Sequence, residues 1–178
     1  KLGITLEFVN GFDSQSLLNK LESDELDIVH SLTDLSAGAY QLKLFEAPLA
    51  LATRTEQLPS EPERLFGVLV GHDFSKQLRR VVPDANIIQF EESQDARQAL
   101  VSGKITVLVD AQQAFVQLQK TTSLPIHLHP FFDDTQIPFY LAVSPPHREL
   151  IPLFSKALQS ITPSEYAQLT NKWYQQVR

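Results

Sequence analysis

Asp110 closes the apolar run Ile105 to Val109 in this 178-residue chain. A carboxylate at the end of a strand can face a cleft and receive a cation, or it can simply cap the helix that follows. Gly71-His72-Asp73 follows a second apolar run, Leu65 to Val70. Backbone amides at a strand–helix junction can hold an anion, with Asp73 as a plain helix cap the alternative. His127-x-His129 puts two imidazoles on one face of a strand, with Asp133 and Asp134 nearby. These are zinc-ligand types, but such pairs on exposed strands are usually incidental, and no metal is expected. Phe12 and Tyr40 carry rings that can stack on a solute, Thr33 completes the candidate ligand-binding set, and Phe45 suits a core better. Glu91-Glu92 flank a helix start, where negative charge suits the macrodipole. No Gly-x-Ser-x-Gly, phosphate loop or Ser/His/Asp set is present, so binding without catalysis or cofactor is expected.

These residues need elements to position them. Ile4 to Val9 alternates apolar and polar residues as a strand does. Asp13 or Ser14 can cap a helix with Leu17, Leu18 and Leu21 on one face, and strands are expected at Leu26 to Leu32 and Leu49 to Thr53. Gln57 to Glu63, with two prolines, is expected to be a linker. After it, strands at 65–70, 86–90 and 105–109 alternate with helices at 74–81, 93–102 and 111–119. Ser93 and Asp110 are the expected caps of the last two helices, and Gly103 the stop of the helix at 93–102. That alternation predicts parallel sheets and an α/β class. Pro138 to Val143 is a further strand, Leu150 to Ile161 an amphipathic helix, and Thr162-Pro-Ser-Glu165 a capping box opening a last helix through Trp173. Leu17 to Ser31 and Leu100 to Asp110 echo one plan of helix, leucine, turn and apolar strand. The echo suggests two similar lobes, although any α/β domain repeats such units.

Composition narrows the partners. Hydrophobic residues make up 43% and charged residues 20%, the balance of a folded globular protein. A net charge of -6 with no basic stripe disfavours nucleic acid. No apolar run approaches the ~20 residues of a membrane helix. The absence of cysteine excludes disulfides and thiolate metal sites, and fits an oxidising compartment. The chain opens inside an expected strand without a signal peptide, as a piece of a longer protein would.

The order of these motifs resembles the family 3 periplasmic solute-binding proteins, the polar amino-acid-binding "Venus flytrap" type, over about residues 4 to 174. The matching segments are Leu21-Glu-Ser-Asp-Glu-Leu-Asp27, Phe45-Glu-Ala-Pro48-Leu49, Leu65-Phe-Gly67 through Gly71, Ala99-Leu-Val-Ser-Gly103 through Asp110, and Tyr166-Ala-Gln-Leu169-Thr-Asn-Lys172-Trp173. The resemblance implies a type II periplasmic-binding-protein-like α/β fold. Lobe 1 would be residues 1–54 plus 138–178 and lobe 2 residues 55–137, with hinges near Arg54 to Leu58 and near Asp133 to Pro138. It implies that Asp110 receives a ligand ammonium. Departures are plain: Ala39 stands where the family carries a carboxylate-binding arginine, His72 where it carries a small hydroxyl residue, Glu46 for a serine and Thr106 for an aspartate. The family's first strand and helix have no counterpart before Lys1.

The resemblance implies a periplasmic, extracytoplasmic domain that binds a small polar solute through Asp110, His72, Gly71, Asp73, Phe12, Tyr40 and Thr33, and signals by lobe closure. The departures favour the sensor input of a membrane-tethered signalling protein, a histidine kinase or cyclic-dinucleotide enzyme, with homodimerisation open. The alternatives are the binding component of an ABC transporter for a polar amino acid or other small organic solute, and an enzyme or ligand-free interaction domain on the same fold.

Overall fold

The structure, a computed structural model, describes residues 3–9, 14–33, 40–121, 123 and 125–174. Chain contacts divide it into two units: residues up to Phe45 with those from Pro138 onward, and Glu46–Ile137. The chain passes between them inside two strands, β2 (Tyr40–Thr53) and β7 (Gln136–Val143). The first passage lies upstream of the Arg54 to Leu58 segment where a hinge is expected.

In the second unit, β3 (Leu65–Leu69) lies parallel between β4 (Asn86–Phe90) and β5 (Val107–Ala111). The far half of β2 runs antiparallel to β5, with Leu49 opposite Ala111 and Ala52 opposite Leu108. It also pairs antiparallel with β6 (His127–Pro130). The helices α2 (Ser75–Val81), α3 (Ser93–Ser102) and α4 (Gln112–Thr121) follow β3, β4 and β5. All five residues of β5 are buried, which is why its sequence is apolar on both faces, Asp110 excepted, rather than an alternation. Elsewhere the period of two is visible. Leu65 and Leu69 of β3 pack on the cluster of Phe90, Ala99, Leu100, Ile105, Leu108, Phe115 and Leu118. Phe66 and Val68 are buried on the opposite face. Gly103 ends α3 in the left-handed region at φ 81°, donating its N–H to Leu100 O, as a helix-stop glycine does.

The first unit holds α1 (Ser14–Glu22), β1 (Ile28–Leu32), the start of β2 up to Phe45, β7 from Pro138 onward, α5 (Leu150–Gln159) and α6 (Pro163–Tyr174). β1 pairs antiparallel with β7, Ile28 opposite Val143, and its core joins Leu21, Val29 and Ala142 with Leu17, Leu18 and Leu26. The capping box forms as its sequence predicts. Thr162 N and Oγ1 donate to Glu165 Oε2 at 2.9 and 3.1 Å, and Glu165 N donates to Thr162 Oγ1 at 3.2 Å.

Several expectations are corrected. Ile4 to Val9 is not a strand: Leu6 is 51% and Phe8 72% exposed, and no ladder pairs with the segment among the described residues. Alternation supplies a face, but a strand needs a partner for its backbone groups. The sheets are mixed rather than parallel, because periodicity reports burial and says nothing of direction. Gln57 to Glu63 is no linker between units; with a 3-10 turn at Glu61–Glu63 it joins β2 to β3 inside the second unit, pinned by Arg64 Nε donating to Pro59 O at 2.7 Å. Glu92 rather than Ser93 is the N-cap of α3, without a side-chain cap bond.

Candidate functional site

Asp110 and His72 meet at the carboxyl edge of the parallel strands of the second unit. β5 carries Asp110 as its penultimate residue, on the same face as Leu108. β3 ends at Leu69, and a tight turn through Gly71 brings His72 back, its N–H donating to Leu69 O at 3.2 Å. Nδ1 of His72 lies 3.4 Å from Asp110 Oδ1. The Ala111 N–H donates to the same oxygen at 2.7 Å. Asp110 is 5% exposed, and a carboxylate this deep needs such partners to offset its lost hydration. The imidazole tautomer that suits the contact carries its proton on Nδ1. Asp110 is therefore a strand residue facing an imidazole, not the expected cap of a helix beginning at Ala111; α4 begins one residue later.

Asp73 belongs to the same edge. Its Oδ1 accepts the Ser75 N–H at 2.9 Å and its Oδ2 accepts from Gln89 Nε2 at 3.2 Å. The N-cap of α2 is Phe74, so Asp73 builds an Asx turn just ahead of the helix instead of capping it. Phe74 is buried with its ring 6.0 Å from that of His72, which backs the imidazole with apolar surface. Gly71 is exposed. The structure thus brings together Asp110, His72, Gly71 and Asp73.

The remaining candidates fall elsewhere. Thr33 follows β1, half-buried, and Tyr40 opens β2, 39% exposed; both belong to the first unit. Phe12 and Ala39 lie outside the described residues. Phe45 stacks on Phe139 with ring centroids 4.9 Å apart, a packing role. His129 Nε2 pairs with Thr53 Oγ1 at 2.8 Å, and among the described residues no group of three His, Asp or Glu is arranged to hold a metal.

Sequence reasoning missed Ser75 and Gln113. Ser75 Oγ, Gln77 Oε1 and Gln113 Oε1 are buried without a hydrogen-bond partner among the described residues, the first two in the helix that follows β3 and the third in the helix that follows β5. Their only signal in the sequence was position, shortly after His72 and Asp110. A separate groove of about 620 Å³ lies in the first unit, lined by Leu44, Leu141, Phe154, Leu158 and Leu169 with little polar surface. Its chemistry does not suit a polar solute.

Parallel strands followed by helices, two units, and two strands carrying the chain between them define the periplasmic-binding-protein-like Venus flytrap α/β fold. No protein-family model matches the sequence, and no curated protein does. Solved structures match over nearly the whole chain. The Bordetella pertussis BvgS periplasmic VFT2 domain superposes with a TM-score of 0.78 at 19% identity, over 96% of this chain and 77% of that one. An ancestral arginine-binding protein bound to glutamine gives 0.76 at 20% identity, over 97% and 81%. The ancestral amino acid-binding protein AncCDT-1, a precursor of cyclohexadienyl dehydratase, gives 0.73 at 20%, over 97% and 78%. The resemblance read from motif order is thus matched in three dimensions as a fold.

Proposed function

We propose that this chain is an extracytoplasmic solute-binding domain whose ligand contacts the edge formed by Asp110, His72, Gly71 and Asp73. The observation that carries the reading is the placement of a buried carboxylate against an imidazole at the carboxyl ends of parallel strands, where open α/β sheets take their ligands. Neighbours of the same fold support it: two are named as binding arginine, glutamine or amino acids, and one is a periplasmic domain. Thr33, Tyr40 and Phe12 are the contributions proposed from the other lobe. No helix among the described residues is long and apolar enough to cross a membrane.

Its mode of action is lobe closure. A solute that prefers the closed state shifts an open–closed equilibrium by its differential affinity. The sensor role is favoured by the departures from the transport-type pocket, Ala39 and His72 above all; in a sensor the closed form acts on an attached output domain. Thermal denaturation across a panel of polar metabolites tests the binding function. A solute at 100 times its Kd adds ~2.7 kcal/mol of stability, which raises Tm by roughly 5–10 °C in a chain of this size. No shift with any amino acid, carboxylate or polyol would count against it. Product formation from prephenate or arogenate would instead favour an enzyme, the reading that the AncCDT-1 neighbour keeps under test.

A further inference from the structure

The two strands that carry the chain between its units are fastened together inside the second unit. β2 crosses between Phe45 and Glu46, and β7 between Ile137 and Pro138. Leu49 N donates to Thr135 O at 3.1 Å, so the strands are joined within a few residues of both crossings. Asp133 builds the turn that presents Thr135: its Oδ1 accepts the Thr135 N–H at 2.9 Å and also the Thr135 hydroxyl. The last turn of α2 holds this turn in place. Nη2 of Arg80 donates to Asp133 Oδ2 at 3.0 Å and to Thr135 Oγ1 at 2.5 Å. α2 is itself seated, because Leu78 within it and Phe74 at its N-cap are 0% and 2% exposed. Arg80 therefore fastens the base of both crossing strands to a packed helix. The side chains of Arg80 and Asp133 are 61% and 34% exposed, so the ion pair alone is weak. Its effect comes from its place, beside the segments that must bend if the units move.

We infer that Arg80 is a positioning residue of the hinge: by fixing the turn at 133–135, it confines bending to the crossings at 45–46 and 137–138. The inference rests on the lobe closure proposed above. Without the Arg80 contacts the turn joins the moving segment, and the ligand-free ensemble widens. A solute that must order a wider ensemble binds more weakly, although Arg80 is not one of its proposed contacts.

Amide exchange and spin-label distances test this on the whole chain without any ligand. The chain has no cysteine, so Gln94→Cys on α3 and Lys156→Cys on α5, both at exposed positions, put one label in each unit. In Arg80→Gln the Leu49 amide should exchange ~2–5-fold faster, the scale of an exposed ion pair, while the amides of β3 keep their rates. The distribution of distances between the labels should broaden. Asp133→Asn should act alike, and the double variant should go little further than either single one. An unchanged Leu49 rate, an unchanged distribution, or additive effects of the two substitutions would overturn the inference. Calorimetric titration with whichever solute raises the wild-type Tm then reads the consequence, a ~2–5-fold weaker affinity in Arg80→Gln. Equal affinity overturns the inference and leaves the solute-binding reading standing. A wild type that no solute stabilises counts against the solute-binding reading alone, because the two ligand-free measurements judge Arg80 by themselves.

Discussion

Replacing Gly67 with Ala should strain the packing that holds β3 beside β5, and the strain can be traced to one carbon. A Cβ at Gly67 would stand 2.4 Å from Ile105 Cδ1, 3.1 Å from Phe90 Cε2 and 3.4 Å from Leu108 Cδ1. Carbon pairs prefer ~3.5–4.0 Å, so the Ile105 terminus must retreat by more than about 1 Å. Ile105 is 1% exposed and packed in the main cluster of the second unit, which leaves it little room. Overpacking of this kind costs ~1–3 kcal/mol, against a gain of ~0.5–1 kcal/mol from replacing a strand glycine, for a net loss of about 1–2 kcal/mol. Ile105→Val removes the offending Cδ1 and should cost ~0.5–1.5 kcal/mol alone. The double variant should lose less than the sum, by ~1–2 kcal/mol of coupling. Urea denaturation followed by far-UV circular dichroism measures all three. Additivity within ~0.5 kcal/mol would refute the argument, because the two sites would then not be in steric conflict.

Other consequences are open to direct measurement. Gly103→Ala should cost ~1–2 kcal/mol, since φ 81° disfavours a Cβ and the new atom would stand 3.2 Å from the Arg54 guanidinium that donates to Val101 O. Thr162→Ala should cost ~1 kcal/mol and speed amide exchange in the first turn of α6, with Thr162→Ser restoring both; an unaltered exchange rate would remove the capping box from the account. Asp133 should titrate below the ordinary carboxylate range. The chief cause is the Thr135 hydroxyl that donates to it; desolvation opposes this, while the Thr135 N–H at 2.9 Å and the Arg80 guanidinium at 3.0 Å add to it. Because the folded value is lowered, its contribution to stability is present above the unfolded value of ~3.9 and is lost as pH falls through the folded one. Carbon-detected NMR should show Thr135→Val moving that titration upward, and an unmoved midpoint would contradict the assignment.

Much of the second unit was legible in the sequence because burial there writes itself into residue type. The runs at Leu65–Leu69 and Val107–Val109 are apolar because both faces of the strands are covered, and Gly103 can be read as a helix stop from its chemistry alone. Strand direction was not legible: the antiparallel return of β2 onto β5 depends on pairing between distant segments, which local periodicity does not encode. Nor was the extent of β2, whose first half is only partly buried and lacks a clean alternation. In the site, Asp110, His72 and Asp73 were visible as polar residues interrupting apolar patterns at strand ends. That His72 would turn its Nδ1 onto Asp110 depends on the tight turn at Gly71. The prominence of Ser75 and Gln113 depends on burial that helix-start residues do not announce.

The central claim is that a small polar solute binds at the carboxyl edge of β3 and β5, and two-dimensional amide NMR tests it most directly. The isotopically labelled chain would be titrated with whichever solute gives the largest thermal shift. Saturable shifts at the His72 and Ala111 amides, lost in Asp110→Ala, are the predicted result. Shifts confined to other residues, or equal in the Asp110→Ala protein, would contradict the account.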